Sequence, residues 1–390
     1  MSATIVVDVV VVGLGAMGSA TLYQLARRGA RVLGIDRWAP PHDRGSSHGE
    51  SRITRQAVGE GDEYVPFVVR AHEIWRELEA ESGESLLAPV GGLLLGRERE
   101  SAWHHGQADF VGRTIAVARR HGIAHEVLTP AEVEARFPQF RLLGDEVAYW
   151  EPGAGFLRPE RCVAVQLDRA RALGAAVHTG ETVVRVTPSG RGVRIETDRA
   201  SYAAAWAVLT AGAWMPELLG GAFAKLLAVH RQVLYWFAPH DAAAFAPGRF
   251  PIFIWIHGAG NGDHFYGFPV LANGVKLATE QFVETADPGQ VVRSVAPAES
   301  AGMYARHVRG RLPGIGDRCL LAATCLYTTT PDARFVIDRH PDSDHIIVAS
   351  PCSGHGFKHS AAIGEAIAER VTGGTSRFDL APFSLDRFPA

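Results

Sequence analysis

A strand, a glycine-rich turn, a helix and a second strand follow one another at the start of the chain, and this order constrains the fold most. Residues 5–12 (IVVDVVVV) are β-branched and almost entirely apolar, as in a parallel strand that is buried on both faces. GLGAMG (13–18) follows with G-x-G-x-x-G spacing. The pattern then predicts a helix over 20–28 and a strand over 31–35 that ends at Asp36. The sequence therefore predicts a Rossmann-like dinucleotide-binding unit.

Each part of this unit suits a dinucleotide. Gly13 permits the tight turn, Gly15 lets the backbone approach a pyrophosphate, and Gly18 lets the helix pack against the sheet. The N-terminus of the helix offers unpaired N–H groups to the phosphates. Asp36 is placed to accept hydrogen bonds from the ribose hydroxyls, and an acid there disfavours a 2′-phosphate. FAD or NAD is therefore favoured over NADP.

The composition excludes several classes of function. The 390 residues carry a net charge of −3 with both signs interspersed, so we expect no binding to nucleic acid or to an anionic membrane. No apolar run approaches the ~20 residues of a bilayer span, and we expect no signal peptide. The four cysteines have no metal-site spacing and are too few for a disulfide framework. We therefore expect a cytoplasmic protein without a metal centre.

The later part of the chain distinguishes FAD from NAD. Residues 345–350 (HIIVAS) are typical of a buried strand, and a glycine-punctuated turn and a helix over 358–371 follow it. A strand over 206–209 precedes another such turn, TAGAW. A typical NAD enzyme has its nucleotide domain in one block, whereas three separated pieces predict a discontinuous domain and favour FAD. The alternative for the last piece is an ordinary αβ unit that closes the sheet.

The predicted fold class is mixed α/β (α+β), with two interleaved domains. Residues 1–85, 151–215 and 323–390 are expected to form the FAD-binding domain, and residues 86–150 and 216–322 a substrate domain. Strand-like runs predict an antiparallel sheet in the second domain, over 229–237, 251–257, 264–269 and 274–279. We expect the active site between the domains, where pockets commonly lie.

Five segments, in order along the chain, resemble the monomeric sarcosine oxidase and N-methyltryptophan oxidase family of D-amino-acid-oxidase-like flavoenzymes. They are GLGAMGSA (13–20), GSSHGESRITRQAVGEGDEYVP (45–66), YGFP (266–269), CLYTTTPDARFVID (325–338) and SGHGFK (353–358). The resemblance implies a monomeric, FAD-dependent oxidase of the carbon–nitrogen bond of an amino acid. Oxygen is then the electron acceptor, and an imine and hydrogen peroxide are the products.

The resemblance also implies how the cofactor is bound. Cys325 resembles the cysteine that forms a thioether with the flavin; taken alone, it would be a small buried apolar residue. Ser46, His48 and Ser51 are expected to bond the flavin phosphate or ring. The other residues expected to bind FAD are Gly13, Gly15, Ala16, Met17, Gly18, Asp36, Arg37, Arg52, Val183, Ala211, Gly212, Trp214, Gly354, His355, Gly356 and Lys358.

Two arginines and two of the three lysines match residues that the family uses in catalysis. Arg55 resembles the arginine that binds the substrate carboxylate, helped by Lys358, because a guanidinium forms two charge-assisted hydrogen bonds. Arg52 resembles the arginine near the flavin face. Lys276 resembles the oxygen-activating lysine, whose ammonium stabilises nascent superoxide. Alternatively, each of these four residues is an ordinary charged residue on the surface. We expect this of the third lysine, Lys225.

The expected pocket lining contains one departure from the family. Tyr266, Tyr327 and His355 are expected to line the pocket, although each is also compatible with a core position. The sarcosine-oxidising members carry histidine four residues after the lysine, whereas this chain has Glu280. A carboxylate can bind a substrate ammonium or a larger polar substituent. The departure therefore favours an N-substituted glycine or a substrate bulkier than sarcosine, such as a cyclic amino acid.

Three other functions stay open on the sequence alone. The first is a flavin amine dehydrogenase that passes electrons to an acceptor other than oxygen. The second is a flavin-containing binding protein without turnover, against which the retention of Arg55, Lys276 and Lys358 argues. The third is an NAD dehydrogenase.

Overall fold

A computed structural model of the protein describes residues 5–97, 104–260 and 262–388. The strands of this described part are β1 (Ile5–Val12), β2 (Val32–Asp36), β3 (Arg52–Thr54), β4 (Leu87–Ala88), β5 (Gly92–Arg97), β6 (Glu126–Leu128), β7 (Glu146–Glu151), β8 (Gly155–Leu157), β9 (Ala176–Thr179), β10 (Val183–Ser189), β11 (Gly192–Thr197), β12 (Ser201–Leu209), β13 (Ala228–Pro239), β14 (Ile252–Ile256), β15 (His264–Gly267), β16 (Val275–Ala278), β17 (Ile315–Thr329), β18 (Val336–His340) and β19 (Ser343–Ser350). The α-helices are α1 (Ala16–Arg27), α2 (Val65–Ser82), α3 (Phe110–Arg120), α4 (Pro130–Arg136), α5 (Pro159–Ala172), α6 (Met215–Leu219), α7 (Phe223–Leu226), α8 (Pro297–Met303) and α9 (Ser360–Gly373).

The first large sheet is built around five parallel strands in the order β9–β2–β1–β12–β19. β11 and β10 extend it in antiparallel fashion from the first half of β12, and β18 pairs antiparallel with β19. Val9–Val12 of β1 are all buried, as a strand covered on both faces requires. β1, β12 and β19 therefore lie side by side. They are the first strands of the nucleotide unit and of the two later strand–turn–helix units.

The second large sheet has the order β17–β13–β16–β15–β14–β5–β7–β6. Its neighbouring strands are antiparallel, as predicted, except that β14 pairs parallel with β5. A small third sheet, β3–β8–β4, carries the segment that contains Arg52. The predicted mixed α/β class is confirmed. The predicted domain boundaries stay a proposal; the one between residues 322 and 323 falls within β17.

The C-terminal helix α9 packs directly on α1. An ideal Cβ atom on Gly364 would lie only 2.5 Å from the backbone carbonyl carbon of Ala20, so the two helices approach backbone to backbone. This contact positions the turn before α9 beside the glycine-rich turn before α1. Among the described residues, no helix has the length and apolar character needed to cross a bilayer.

Candidate active site

The glycine-rich turn between β1 and α1 forms one wall of a deep cavity. Gly13 has a φ of +86°, and a Cβ atom there would lie 2.7 Å from the carbonyl oxygen of Thr210. A Cβ atom on Gly18 would lie 1.8 Å from the carbonyl oxygen of Gly13. Both positions therefore require glycine. The helix begins at Ala16, earlier than predicted, and Ala16 itself lines the cavity.

Asp36 lies at the end of β2, on the same cavity. The backbone N–H of Leu14 donates a 2.7 Å hydrogen bond to Oδ2, and the N–H of Trp38 donates a 2.8 Å bond to Oδ1. These bonds hold the carboxylate at the cavity wall and link it to the glycine-rich turn. The position is compatible with the contact to ribose hydroxyls, which stays a prediction.

The cavity has a volume of about 400 Å³. Most residues predicted to bind FAD line it: Gly13, Gly15, Ala16, Met17, Asp36, Arg37, Ser46, Arg52, Val183, Ala211, Gly212, Trp214, Gly354 and Gly356, together with Tyr327. The predicted residues outside this lining are Gly18, His48, Ser51, Cys325, His355 and Lys358. The sequence analysis missed Trp38, Glu181 and Cys352, which also line the cavity. Trp38 could have been predicted to line the cavity, because it lies two residues after Asp36 at the end of β2.

Several polar atoms of the cavity wall have no hydrogen-bond partner among the residues that the structure describes. They are Nε1 of Trp214, Oγ1 of Thr328 and Oγ of Ser350, and all three are buried. Since buried polar groups are nearly always hydrogen-bonded, this wall is suited to a ligand with polar groups of its own.

Arg52 lies between the cavity and Cys325. Its guanidinium donates to the carbonyl oxygens of Ser46 (2.7 Å) and Ser51 (2.8 Å), and Nη2 lies 3.6 Å from Sγ of Cys325. Cys325 is fully buried in β17, opposite Gln232 of β13. The sulfur of Cys325 therefore has a permanent cation as its neighbour.

Lys276 fastens the loop that precedes Arg52. Its Nζ donates to the carbonyl oxygens of Gly49 (2.7 Å) and Ser51 (2.6 Å) and to Oγ of Ser51 (3.1 Å). Burial, with Arg52 nearby, holds the pKa of Lys276 well below its usual value. In the same loop, burial and Arg52 lower the pKa of His48 to about 4, so its imidazole is neutral.

Arg55 and Lys358 meet at a carboxylate that the sequence analysis did not single out. Nη2 of Arg55 lies 3.1 Å from Oε2 of Glu60, and Nζ of Lys358 lies 3.5 Å from Oε1 of the same residue. All three side chains are at most 5 % exposed. Nε of Arg55 is buried without a partner. The group therefore combines two cations, one carboxylate and one free donor.

Glu280 faces a second missed residue, His105. Nε2 of His105 lies 3.0 Å from Oε2 of Glu280, and Nδ1 lies 3.2 Å from Oε1 of Glu60. Burial alone would lower the pKa of His105, but the carboxylates of Glu280 and Glu60 outweigh it and raise the pKa to about 9. Glu60 lies within the segment 45–66, whereas no motif marked His105.

Gly354 lies between the cavity and the side chains of His105 and Glu280. Gly354 lines the cavity, and a Cβ atom on it would lie 2.9 Å from Nε2 of His105 and 3.1 Å from Oε1 of Glu280. The hydroxyls of Tyr266 and Tyr327 lie 3.4 Å apart, and Tyr327 also borders Gly354. The structure thus brings Tyr266, Tyr327, Glu280, Arg55 and Lys358 together beside the cavity.

His355 follows Gly354 in the glycine turn and contacts Ala333 and Phe335. Its Nε2 lies 3.0 Å from the carbonyl oxygen of Ala333, and its ring stacks on Phe335. Burial lowers its pKa to about 3, so the ring is neutral. Its buried Nδ1, 3.8 Å from Oε1 of Glu60, has no hydrogen-bond partner.

The parallel sheet, the glycine-rich turn and the cavity define a dinucleotide-dependent enzyme of the α/β class. The sequence model of the family described as FAD dependent oxidoreductase matches residues 8–370, and the chain belongs to this family. The prediction of an FAD-dependent oxidoreductase is confirmed.

Individual relatives cover the chain almost from end to end. Monomeric sarcosine oxidase of Streptomyces avermitilis is 38% identical over 98% of this chain and 98% of its own. N-methyl-L-tryptophan oxidase of Salmonella dublin is 34% identical over 98% of this chain and 99% of its own. The crystal structure of NikD, described as an unusual amino acid oxidase essential for nikkomycin biosynthesis, has the same fold. It has a TM-score of 0.83 and 24% identity, over 98% of each chain.

The cavity fits FAD. The turn at Gly13 and Gly15 suits a pyrophosphate, Asp36 suits a ribose, and the unpaired atoms of Trp214 and Ser350 can bond a polar cofactor. The same cavity extends to Arg52 and Gly354, and Gly354 lies beside the group formed by Arg55, Glu60 and Lys358.

Proposed function

We propose that this protein oxidises the carbon–nitrogen bond of a secondary amino acid, with oxygen as the electron acceptor. The observation that carries the proposal is the buried Arg55–Glu60–Lys358 group beside Gly354 of the cofactor cavity. The names of the relatives in Streptomyces and Salmonella support an N-substituted amino acid as the substrate.

Arg55 and Lys358 are proposed to bind the substrate carboxylate. With Glu60 between them, two cations face one anion, so the group has one net positive charge at neutral pH. One incoming carboxylate neutralises this charge, and the free Nε of Arg55 gives it a hydrogen-bond donor. Binding at this point fixes the amine carbon of the substrate at the edge of the cavity.

Bound FAD supplies the acceptor for the hydride equivalent that leaves this carbon. Arg55 and Lys358 also favour the neutral, reactive form of the bound amine, because nearby positive charge lowers an amine pKa. Tyr266 and Tyr327 form a wall with polar tips for the substrate, and their burial limits water at the reacting carbon. The product is an imine, which water hydrolyses after release.

Lys276 and Cys325 have proposed roles at the cofactor. In its ammonium form, Lys276 would stabilise superoxide as oxygen is reduced to hydrogen peroxide. Cys325, with Arg52 3.6 Å from its sulfur, would hold the flavin through a thioether: the sulfur would replace one hydrogen of a ring methyl group, and oxygen would accept the two electrons released through the flavin. We also propose that the protein is a cytoplasmic monomer.

The substrate is proposed to be an N-substituted glycine or an amino acid bulkier than sarcosine. The reason is Glu280: its Oε2 is engaged by His105, but its Oε1 borders Gly354 and remains available to a polar substituent.

A panel of substrates with peroxide detection tests the proposal. Purified protein is incubated with N-substituted glycines, cyclic imino acids and N-methyl amino acids, and peroxide and oxygen uptake are measured together. We expect peroxide in step with oxygen uptake for at least one member other than sarcosine. Turnover with an artificial dye but none with oxygen would instead indicate a flavin amine dehydrogenase.

A further inference from the structure

We propose that His104, His105, His264 and Glu280 form a binding site for one zinc ion beside the candidate active site. The proposal goes beyond the amine oxidation and does not depend on it. The four side chains come from the 104–107 turn, from β15 and from the segment after β16, and all are nearly inaccessible to solvent.

The potential ligand atoms have the spacing of a metal site. His104, His105 and Glu280 each contribute one atom to a group whose members all lie within 4.8 Å of one another. Nε2 of His105 and Nε2 of His264 lie 3.0 Å and 3.5 Å from Oε2 of Glu280. Tetrahedral zinc with bonds of ~2.0–2.1 Å sets its ligand atoms about 3.3–3.4 Å apart. Among His104, His105 and Glu280, closure of the gaps by at most about 1.4 Å gives this spacing, and His264 is the fourth ligand within reach of Glu280.

Unpaired nitrogens point independently to a missing ligand. Among the residues that the structure describes, neither ring nitrogen of His104 nor Nε2 of His264 has a hydrogen-bond partner, although the two residues are only 4 % and 5 % exposed. Imidazole nitrogens that carry no proton, together with a carboxylate, offer lone pairs that a cation binds. Three nitrogens and one oxygen form a donor set suited to zinc rather than to calcium or magnesium.

Glu60 supplies the outer contact that metal-binding histidines usually have. Its Oε1 lies 3.2 Å from Nδ1 of His105, so a proton held at Nδ1 leaves Nε2 free for the ion. In the absence of the ion, a proton on Nε2 bridges His105 and Glu280. Zinc replaces this proton, which is released to solvent, and no redox change is involved.

The backbone of the 104–107 turn has an unusual conformation that brings the two histidine side chains together. His104 and Gln107 exchange two backbone hydrogen bonds of 2.9 and 3.0 Å, and His105 between them has a φ of +46°. A residue with a side chain is rarely left-handed, and such strain concentrates at functional sites. This conformation directs two successive histidines to one place, with ring centroids 4.0 Å apart. The ion would fasten the turn to the sheet that carries His264.

Zinc stoichiometry of the FAD-loaded protein tests the proposal. The protein is treated with a chelator, reloaded with zinc and analysed by plasma mass spectrometry, with the flavin spectrum and circular dichroism as checks of folding. We expect one tightly bound zinc per chain, which the variants Glu280→Gln and His104→Asn lose. The exposed His240 provides the control, and His240→Asn should keep the zinc.

Cobalt substitution of the wild-type protein gives a readout that needs no variant. We expect the intense ligand-field bands of tetrahedral cobalt at wavelengths beyond the absorption of oxidised flavin. The proposal is overturned if folded wild-type protein takes up no stoichiometric zinc and gives no such bands. It is equally overturned if folded cluster variants retain as much zinc as His240→Asn.

Discussion

Arg55 is deeply buried, and one of its N–H groups has no partner among the described residues. Nη1 donates to the carbonyl oxygen of Ala57 and Nη2 bonds Glu60, whereas Nε has no acceptor in the described part of the chain. A buried donor without a partner is costly, and a carboxylate bound there, as proposed for the substrate, would remove the cost. The affinity for an acid ligand should therefore depend strongly on this residue.

Replacement of Arg55 by methionine should weaken binding of substrate acids about 10- to 100-fold. A hydrogen bond to a charged group contributes ~1.5–3 kcal/mol, and each 1.4 kcal/mol is tenfold in affinity. The dissociation constant of an unreactive carboxylic acid, read from the flavin absorbance, measures the effect. The exposed Arg318 is a matched control, and Arg318→Met should bind as the wild type does. Equal affinities in the two variants would contradict the assignment.

Lys276→Met should slow the reaction of reduced enzyme with oxygen by roughly 10²- to 10³-fold, as for loss of one electrostatic stabiliser. Reduction by substrate should change less, because Arg55 and Lys358, which are proposed to bind the carboxylate, are intact. Stopped-flow measurement of the two half-reactions separates the effects. Lys225 is exposed and provides the control Lys225→Met. An equal loss in both half-reactions would assign Lys276 only to holding the loop at Gly49 and Ser51.

Affinity for acid ligands should fall as the pH rises through about 8. Burial lowers the pKa of Lys358 from 10.5 to about 8, although Glu60 opposes the shift. Below that pH the ammonium is charged and attracts the carboxylate, and above it the neutral amine does not. The dissociation constant of an unreactive acid, measured across this range, should rise in the wild type and stay flatter in Lys358→Arg, which keeps its charge. A fall in affinity of the same size in Lys358→Arg would exclude Lys358 as the group that titrates.

At the scale of elements, the packing of α9 on α1 depends on the lack of a side chain at Gly364. Gly364→Ala should destabilise the protein by ~1–3 kcal/mol, the usual cost of overpacking, because the new methyl group would meet the backbone of Ala20. Gly373, in the same helix, has open space around it, so Gly373→Ala should be neutral or stabilising by up to ~1 kcal/mol. Thermal unfolding followed by circular dichroism compares them. A lower melting temperature for Gly373→Ala than for Gly364→Ala would contradict this account of the contact.

Several strands were predictable from the sequence because short runs of apolar and β-branched residues bounded by turn residues are typical of buried strands. The strand predicted over 5–12 is β1 as found, and the run predicted over 229–237 lies within β13. The start of α1 was predicted four residues late, since glycine and alanine carry little information about a helix N-terminus. The parallel pairing of β5 with β14 was also missed, because it joins segments more than 150 residues apart in sequence.

At the scale of the whole molecule, the cationic side chains of the active site were predictable and their counter-ions were not. The resemblance marked Arg55 and Lys358, which do meet in the structure. Glu60 joins them, and His105 joins Glu60 to Glu280. Except for the contact of Arg55 with Glu60, these contacts are between residues that are 45 to 298 positions apart in the sequence. A pairing of this kind has no sequence period, so spacing alone does not reveal it.

Anaerobic reduction of the bound flavin tests the central claim most directly. FAD-loaded protein is mixed without oxygen with N-substituted glycines, cyclic imino acids and N-methyl amino acids, and with the corresponding amines that lack the carboxylate. The account predicts that at least one acid bleaches the oxidised-flavin absorbance far faster than its decarboxylated counterpart. Air should then restore the absorbance with release of one peroxide per flavin. Failure of every acid to bleach a flavin that dithionite reduces, or equal bleaching by the decarboxylated amines, would contradict it.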